Sequence, residues 1–380
     1  MSGKYEYFMP TRLFFGGSVR EFAAEFAGDR SYQKRTPSQS AGFGRKALIV
    51  TGKSSAKNGA LDDAAYCLSQ NGLEYAVFDR TEENPSLENA DEAAKAGLDA
   101  GCDCVVAIGG GSPMDLGKAA AVLLANPDKK AKDLIQPGEY AHVPLYAVPT
   151  TAGTGSETTP YSILTLHEKQ TKSSIGANVF FGKAFLCARY TDNLPEAVTL
   201  SAAVDVLAHL CEGYLSSKAS PFSDMLAEGG FASFAECVPA LKARAFDAPF
   251  REKMLRLSSL AGVVIAQART SLPHAMGYAM TYFKHMPHGF GTGILLGEYL
   301  KFHPDREKVG RFLRLAGFAS ADGVKELVLS FTERPPSLTP AEIEDFSRKL
   351  YENKAKLAIH PGLVELEDIR EMYRRSTVTI

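Results

Sequence analysis

Two textures divide this chain and predict its fold class: an α/β N-terminal domain built on a Rossmann-like parallel sheet, followed by an all-helical C-terminal domain. Between residues 46 and 149, short continuous apolar runs alternate with amphipathic segments of helical period, the pattern of a parallel sheet covered on both faces. Two glycine-rich loops follow such runs, one at Gly109 to Gly111 and one at Gly153 to Gly155, as in nucleotide-binding architectures. After about residue 188, helical periodicity takes over. The expected domains are therefore 1–188 and 189–380.

Taken in order, Lys4 to Phe15 alternates aromatic and polar residues, which predicts a strand or hairpin closed by Gly16-Gly17. A helix is expected over 19–27, and the polar, Ser/Gly/Arg/Lys-rich stretch 29–46 reads as an exposed loop. Strands are predicted at 47–51, 75–78, 104–108 and 145–149, with helices at 59–71, 87–100 and 114–125 between them. The second half predicts helices at 196–215, 221–241, 250–268, 273–283, 292–302, 305–316, 322–333, 340–353 and 365–375, with Pro335-Pro336 as a break.

Composition narrows the function. A net charge of −2 with both signs interspersed leaves no basic stripe for nucleic acid and no polybasic patch for an anionic membrane, so the expected partner is a small molecule. The start MSGKYEYFMP has no signal-like apolar region, and no run approaches the roughly 18 apolar residues of a membrane span. Six cysteines, scattered without a C-x-x-C pair, read as reduced core residues. A cytoplasmic location is expected.

Each glycine-rich loop sits where a buried strand hands over to the next element. In Gly109-Gly110-Gly111-Ser112-Pro113-Met114-Asp115, three glycines let backbone N–H groups approach a ligand, and the helix N-terminus adds partial positive charge suited to a pyrophosphate. In Thr150-Thr151-Ala152-Gly153-Thr154-Gly155-Ser156, hydroxyls and glycines can line the diphosphate and the nicotinamide ribose, although a plain polar turn has the same composition. The turn after the first strand of the alternating pattern presents Gly52, Lys53, Ser54 and Ser55. An acid there accepts from the ribose 2′-OH of NAD; its absence, beside donors, favours NADP(H) over NAD(H).

Asp205 and His209 are four apart in a segment of helical spacing, so they share one helix face. Read alone, the pair is more readily a solvated helix pair than half of a metal site. With His274 and His288, one carboxylate oxygen and three imidazole nitrogens make a ligand set for Fe²⁺ or Zn²⁺. Glu212 is either an acceptor for an imidazole N–H or an ordinary helix-surface carboxylate.

Asp-x-x-x-His in a helix, then His274-Ala275-Met276 and Pro287-His288-Gly289, resembles the iron-dependent (group III) alcohol dehydrogenases. The resemblance runs from Tyr5–Pro10 to Glu367–Arg374 and takes in the GGGSPMDLGKA and PTTAGTGSE loops. It implies a dehydroquinate synthase-like architecture, a homodimer contact through the N-terminal segment, and hydride transfer between a nicotinamide and a small alcohol or aldehyde. It assigns the metal to Asp205, His209, His274 and His288, and the cofactor to both loops with Asn84 and Lys172. A proton-relaying histidine common in the family is here Tyr278, a phenol that relays less readily at neutral pH. Pro273 fits before a ligand if Ser271 caps a helix there. Two alternatives stand beside this reading: a dehydroquinate synthase-like lyase, and a non-catalytic nucleotide-binding protein.

Overall fold

The computed structural model describes residues 4–26, 45–55, 57–332 and 336–380. Compactness divides it into an α/β unit, Met9–Leu194 with Asp247–Leu255, and a helical unit formed by Met1–Phe8, Pro195–Phe246 and Arg256–Ile380. The expected boundary at 188 compares with Leu194 here, and both the N-terminal eight residues and 247–255 cross over to the other grouping.

The α/β unit holds a six-stranded, all-parallel sheet. Its strands are β1 (Arg12–Phe15), β2 (Lys46–Thr51), β3 (Glu74–Phe78), β4 (Cys104–Gly109), β5 (Leu145–Pro149) and, after a small antiparallel hairpin of β6 (Ile163–Leu166) and β7 (Thr171–Ser174), β8 (Lys183–Leu186). The order across the sheet is β1-β8-β5-β4-β2-β3. Alternation sorts the side chains: Ala47, Ile49, Val106 and Ile108 join one core, Leu48, Val50, Val105 and Ala107 the other. Helices α1 (Ala60–Gln70), α2 (Leu87–Asp99) and α3 (Gly111–Ala125) cross between strands. α3 begins three residues earlier than periodicity predicts, inside the glycine loop itself. The segment 19–26 is a 3₁₀ helix kinked at Phe22 rather than an α-helix, and Lys4–Thr11 forms no strand or hairpin. The expected loop falls outside the described residues over 29–44, as do Ala27 and the first proline of the Pro335-Pro336 break.

The helical unit follows the predicted succession, except that two expected helices are each split and a short unexpected one appears at 354–357. Helix α4 (Glu196–Tyr214) is followed by α5 (Pro221–Ala235) and α6 (Val238–Ala243), which separate where one helix was expected. Pro239 has no N–H to donate and crowds the preceding turn, so a new helix must start there. After α7 (Ala248–Ala268) and α8 (Leu272–Lys284), the expected helix 292–302 divides into α9 (His288–Gly293) and α10 (Leu296–Phe302). Then come α11 (Arg306–Leu315), α12 (Ala321–Leu329), α13 (Pro340–Glu352), α14 (Lys354–Leu357) and α15 (Leu366–Ser376). A short parallel pairing of 337–338 with 378–379 joins the last segments. No helix among the described residues is long and apolar enough to cross a membrane.

Glycine sets how closely α9 lies on α4. A Cβ on Gly289 would stand 1.8 Å from the Ser201 carbonyl oxygen, and one on Gly293 would stand 2.1 Å from Val204 Cγ1. Only residues without a side chain permit that approach.

Candidate functional site

Asp205 and His209 sit one turn apart on α4, whose surroundings are apolar, and both are buried, at 3% and 5% relative exposure. The solvated-pair reading is therefore excluded, because a carboxylate in such surroundings needs a compensating charge. His274 enters from the first turn of α8 and His288 from the first residue of α9. The Nε2 atoms of His209, His274 and His288 lie 3.8, 3.3 and 3.7 Å from one oxygen, Asp205 Oδ1. Ligand atoms of Asp205, His209 and His274 all fall within 4.8 Å of one another. His288 stands at the open side, its side chain 30% exposed against 4% for Asp205.

Glu212, on α4, is fully buried, which settles its two readings against the helix surface. One carboxylate oxygen meets His274 Nδ1 at 2.5 Å, and the other accepts the backbone N–H groups of Ser271 (2.7 Å) and His274 (3.3 Å). The expected cap of α8 by the Ser271 side chain is absent. Glu212 caps the helix from a neighbouring one and in the same contact fixes the imidazole, committing its Nε2 lone pair toward Asp205.

These residues fit a divalent ion. A metal–nitrogen distance of about 2.0–2.1 Å places neighbouring ligand atoms roughly 3–3.5 Å apart, the scale of the separations around Asp205 Oδ1. Asp205 Oδ1 and His274 Nε2 are buried and engage in no hydrogen bond although only 3.3 Å separates them, so a shared cation is what satisfies both. Burial opposes charge on Asp205, but His209 and His288 outweigh it and hold the carboxyl well below its usual range. Burial likewise disfavours a charged His274, yet Glu212 and Asp205 raise it to about 10. A spot that favours a proton so strongly favours a metal cation for the same electrostatic reason.

The cofactor residues expected from sequence gather in the α/β unit. Gly109 leaves β4 at φ 150°, where a Cβ would strike the Pro113 ring at 2.5 Å. The N-terminus of α3, capped by Gly110, has no side chain bonded to it and so keeps its N–H groups and dipole for an anion. The second loop lies against the first: Cβ atoms on Gly110 and Gly111 would come within 3.0 Å of Thr151 and 2.8 Å of Thr154, and Thr150 N donates to Gly109 O at 2.9 Å. Ser112 and Lys172 both meet Asn84, Ser112 Oγ accepting its N–H at 3.0 Å and Lys172 Nζ donating to its side chain at 2.7 Å. Asp115 and Ser156 turn to each other instead, Ser156 Oγ donating to Asp115 Oδ1 at 2.7 Å. Gly52, Lys53 and Ser54 form the turn after β2, whereas the Ser55 hydroxyl is taken by Ile108 O at 3.2 Å. Tyr278 lies on α8 with its ring 6.4 Å from that of His288 and nearly parallel to it.

Sequence reasoning passed over Lys118. It is fully buried, and its ammonium donates to Ser156 O (2.7 Å), Ser156 Oγ (3.0 Å), Thr159 O (2.9 Å) and Tyr161 O (2.7 Å). Burial pulls its pKa down to about 8 against the opposing carboxylates of Asp115 and Glu157. The available signal was its place as the sole charge in the apolar run from Leu116 to Ala125.

Comparison with known proteins bears on both parts of the chain. Residues 28–188 match the family description "Iron-containing alcohol dehydrogenase", and residues 199–371 match "Fe-containing alcohol dehydrogenase family, C-terminal". Alcohol dehydrogenase 4 of Saccharomyces cerevisiae is 31% identical over 78% of this chain and 75% of its own. The crystal structure of an iron-containing alcohol dehydrogenase from Thermotoga maritima superposes with a TM-score of 0.87 at 38% identity, covering 98% of this chain and 99% of that one. Sulfoacetaldehyde reductase from Bifidobacterium kashiwanohense, solved in complex with NAD⁺, gives a TM-score of 0.84 at 26% identity, covering 99% and 100%. The chain belongs to the iron-containing alcohol dehydrogenase family, whose members are NAD-dependent oxidoreductases acting on alcohols and aldehydes.

Proposed function

We propose that the protein reduces a small aldehyde, or oxidises the matching alcohol, with NADP(H) preferred over NAD(H) and Fe²⁺, or alternatively Zn²⁺, at Asp205, His209, His274 and His288. The observation that carries this reading is the convergence of three imidazole nitrogens on one buried carboxylate oxygen. Held by these four residues, a divalent ion would supply Lewis acidity to a substrate oxygen, and a bound nicotinamide would supply or accept the hydride at the adjacent carbon. His274 is held in orientation by Glu212, and Tyr278, whose ring lies beside that of His288, is the residue we assign to proton transfer. The intact ligand set weighs against a non-catalytic nucleotide-binding protein. Residues 1–188 serve as the dinucleotide-binding domain and 189–380 as the metal-binding domain. Cofactor binding falls to Gly109 to Ser112 and Asp115, to Thr150, Thr151, Thr154 and Ser156, and to Asn84, Lys172 and the 52–54 turn. Exposed aromatic residues Tyr5, Tyr7 and Phe8 support a homodimer contact, and six buried cysteines held as thiols rather than disulfides are in keeping with a cytoplasmic setting.

Metal and turnover are tested together. Anaerobic loading with Fe²⁺ should give NADPH-dependent aldehyde reduction, chelation should abolish it, and Fe²⁺ or Zn²⁺ should restore it. Full turnover in a thoroughly metal-free preparation would overturn the mechanism.

Cofactor preference is read at Gly52, where a Cβ would meet nothing within 4 Å, so Gly52→Asp fits without strain. The new carboxylate repels a 2′-phosphate and accepts from a 2′-OH, shifting the NADPH/NADH ratio of kcat/KM toward NADH by about tenfold or more. Equal or better kcat/KM with NADH in the unsubstituted enzyme would refute the NADP assignment.

A further inference from the structure

The open side of the ligand cluster has a directional chemistry. His288 is its accessible member, and the Tyr278 ring lies beside it at 6.4 Å with an interplanar angle of 23°. Tyr278 also has Lys356, from the short α14, beside it, with the ammonium 5.8 Å from the ring centroid. Of the neighbouring lysines, Lys284 is bonded to Glu342 at 2.5 Å and Lys349 to Asp345 at 2.7 Å, while Lys354 is exposed and lies over the Tyr351 ring. Among the described residues no carboxylate lies within salt-bridge distance of Lys356, although its side chain is half-buried. A cation set against an aromatic ring without an acid is an anion receptor in waiting, since part of its water is already displaced by the protein.

Resting on the aldehyde-reductase reading above, we infer that Lys356 selects substrates carrying an anionic group, a carboxylate or sulfonate, a few carbons from the reacting carbonyl. A molecule whose carbonyl reaches the ligand cluster from the His288 side lies along Tyr278, and its tail ends near the ammonium. A neutral aldehyde of the same length leaves that ammonium unsatisfied. An unbranched spacer of two or three carbons spans one aromatic ring, which sets the size class.

The test compares 4-oxobutanoate with its methyl ester in the iron-loaded enzyme and in Lys356→Met and Lys356→Glu. A charge-assisted contact at a half-buried site is worth about tenfold or more in affinity. The kcat/KM ratio of acid to ester should exceed one by that factor in the parent and fall at least tenfold in Lys356→Met. It should fall further in Lys356→Glu, and the KM for the acid should rise with ionic strength. Calorimetric binding of 4-hydroxybutanoate against 1,4-butanediol to the metal-loaded protein gives the same comparison without turnover. An acid/ester ratio near one that is unmoved by both substitutions, with equal affinities for the two alcohols, would overturn the inference. If neither aldehyde turns over but the calorimetric difference is present and lost in Lys356→Met, the anion site stands and the oxidoreductase reading fails.

Discussion

His274→Ala should lower kcat/KM by about a thousandfold, roughly 4 kcal/mol of transition-state stabilisation, because it removes a ligand and with it most of the Lewis acidity at the substrate oxygen. The fold should survive. Glu212 loses the imidazole but keeps the backbone N–H groups at positions 271 and 274, so its buried charge retains two donors. Cofactor affinity should also survive, since both glycine loops belong to the α/β unit and His274 to the helical one. Metal content by mass spectrometry, NADPH affinity by fluorescence titration and far-UV circular dichroism separate these outcomes. Loss of activity with metal content intact would show that His274 is not a ligand, and undiminished activity would dismiss the ion from the mechanism.

Gly289→Ala should damage the same centre without touching a ligand. The added methyl group would meet backbone, the Ser201 carbonyl at 1.8 Å, which has no rotamer by which to move away. α9 must then retreat from α4 by more than an ångström, carrying the adjacent His288 from Asp205 Oδ1. A displacement of that order costs about a hundredfold in kcat/KM, and the overpacking itself about 1–3 kcal/mol of stability. Gly229→Ala on α5 is the matched control, since a Cβ there meets nothing within 4 Å. It should raise stability by up to about 1 kcal/mol through helix propensity. Thermal melts and metal titration of both variants decide the matter: equal behaviour of the two would mean that the α4 and α9 approach does not govern the site.

Much of this architecture was legible because its causes are local. Continuous apolar runs located β2, β4 and β5 to within a residue, and helical spacing put Asp205 and His209 on one face. The four proposed metal ligands were assigned through motif resemblance, and spacing alone left the pair on α4 ambiguous. Elements whose causes are not local escaped. β8 and the β6 and β7 hairpin are short segments that exist because the sheet edge and the loops supply partners, and Pro239 outweighed an unbroken helical pattern. The role of Glu212 needed tertiary information, since only the approach of α8 turns a carboxylate on α4 into a cap and an imidazole anchor.

Lys118 has a consequence for how a cofactor comes and goes. Its ammonium is hydrogen-bonded by carbonyl and hydroxyl oxygens of 156–161, so lifting that segment from α3 strips a buried cation of those acceptors and leaves it the charge of Asp115 alone on its own helix. The stretch that follows the second glycine loop is thus no gate. If the dinucleotide is held at the second glycine loop as proposed, it should meet the same fixed segment at each turnover rather than one rebuilt each time.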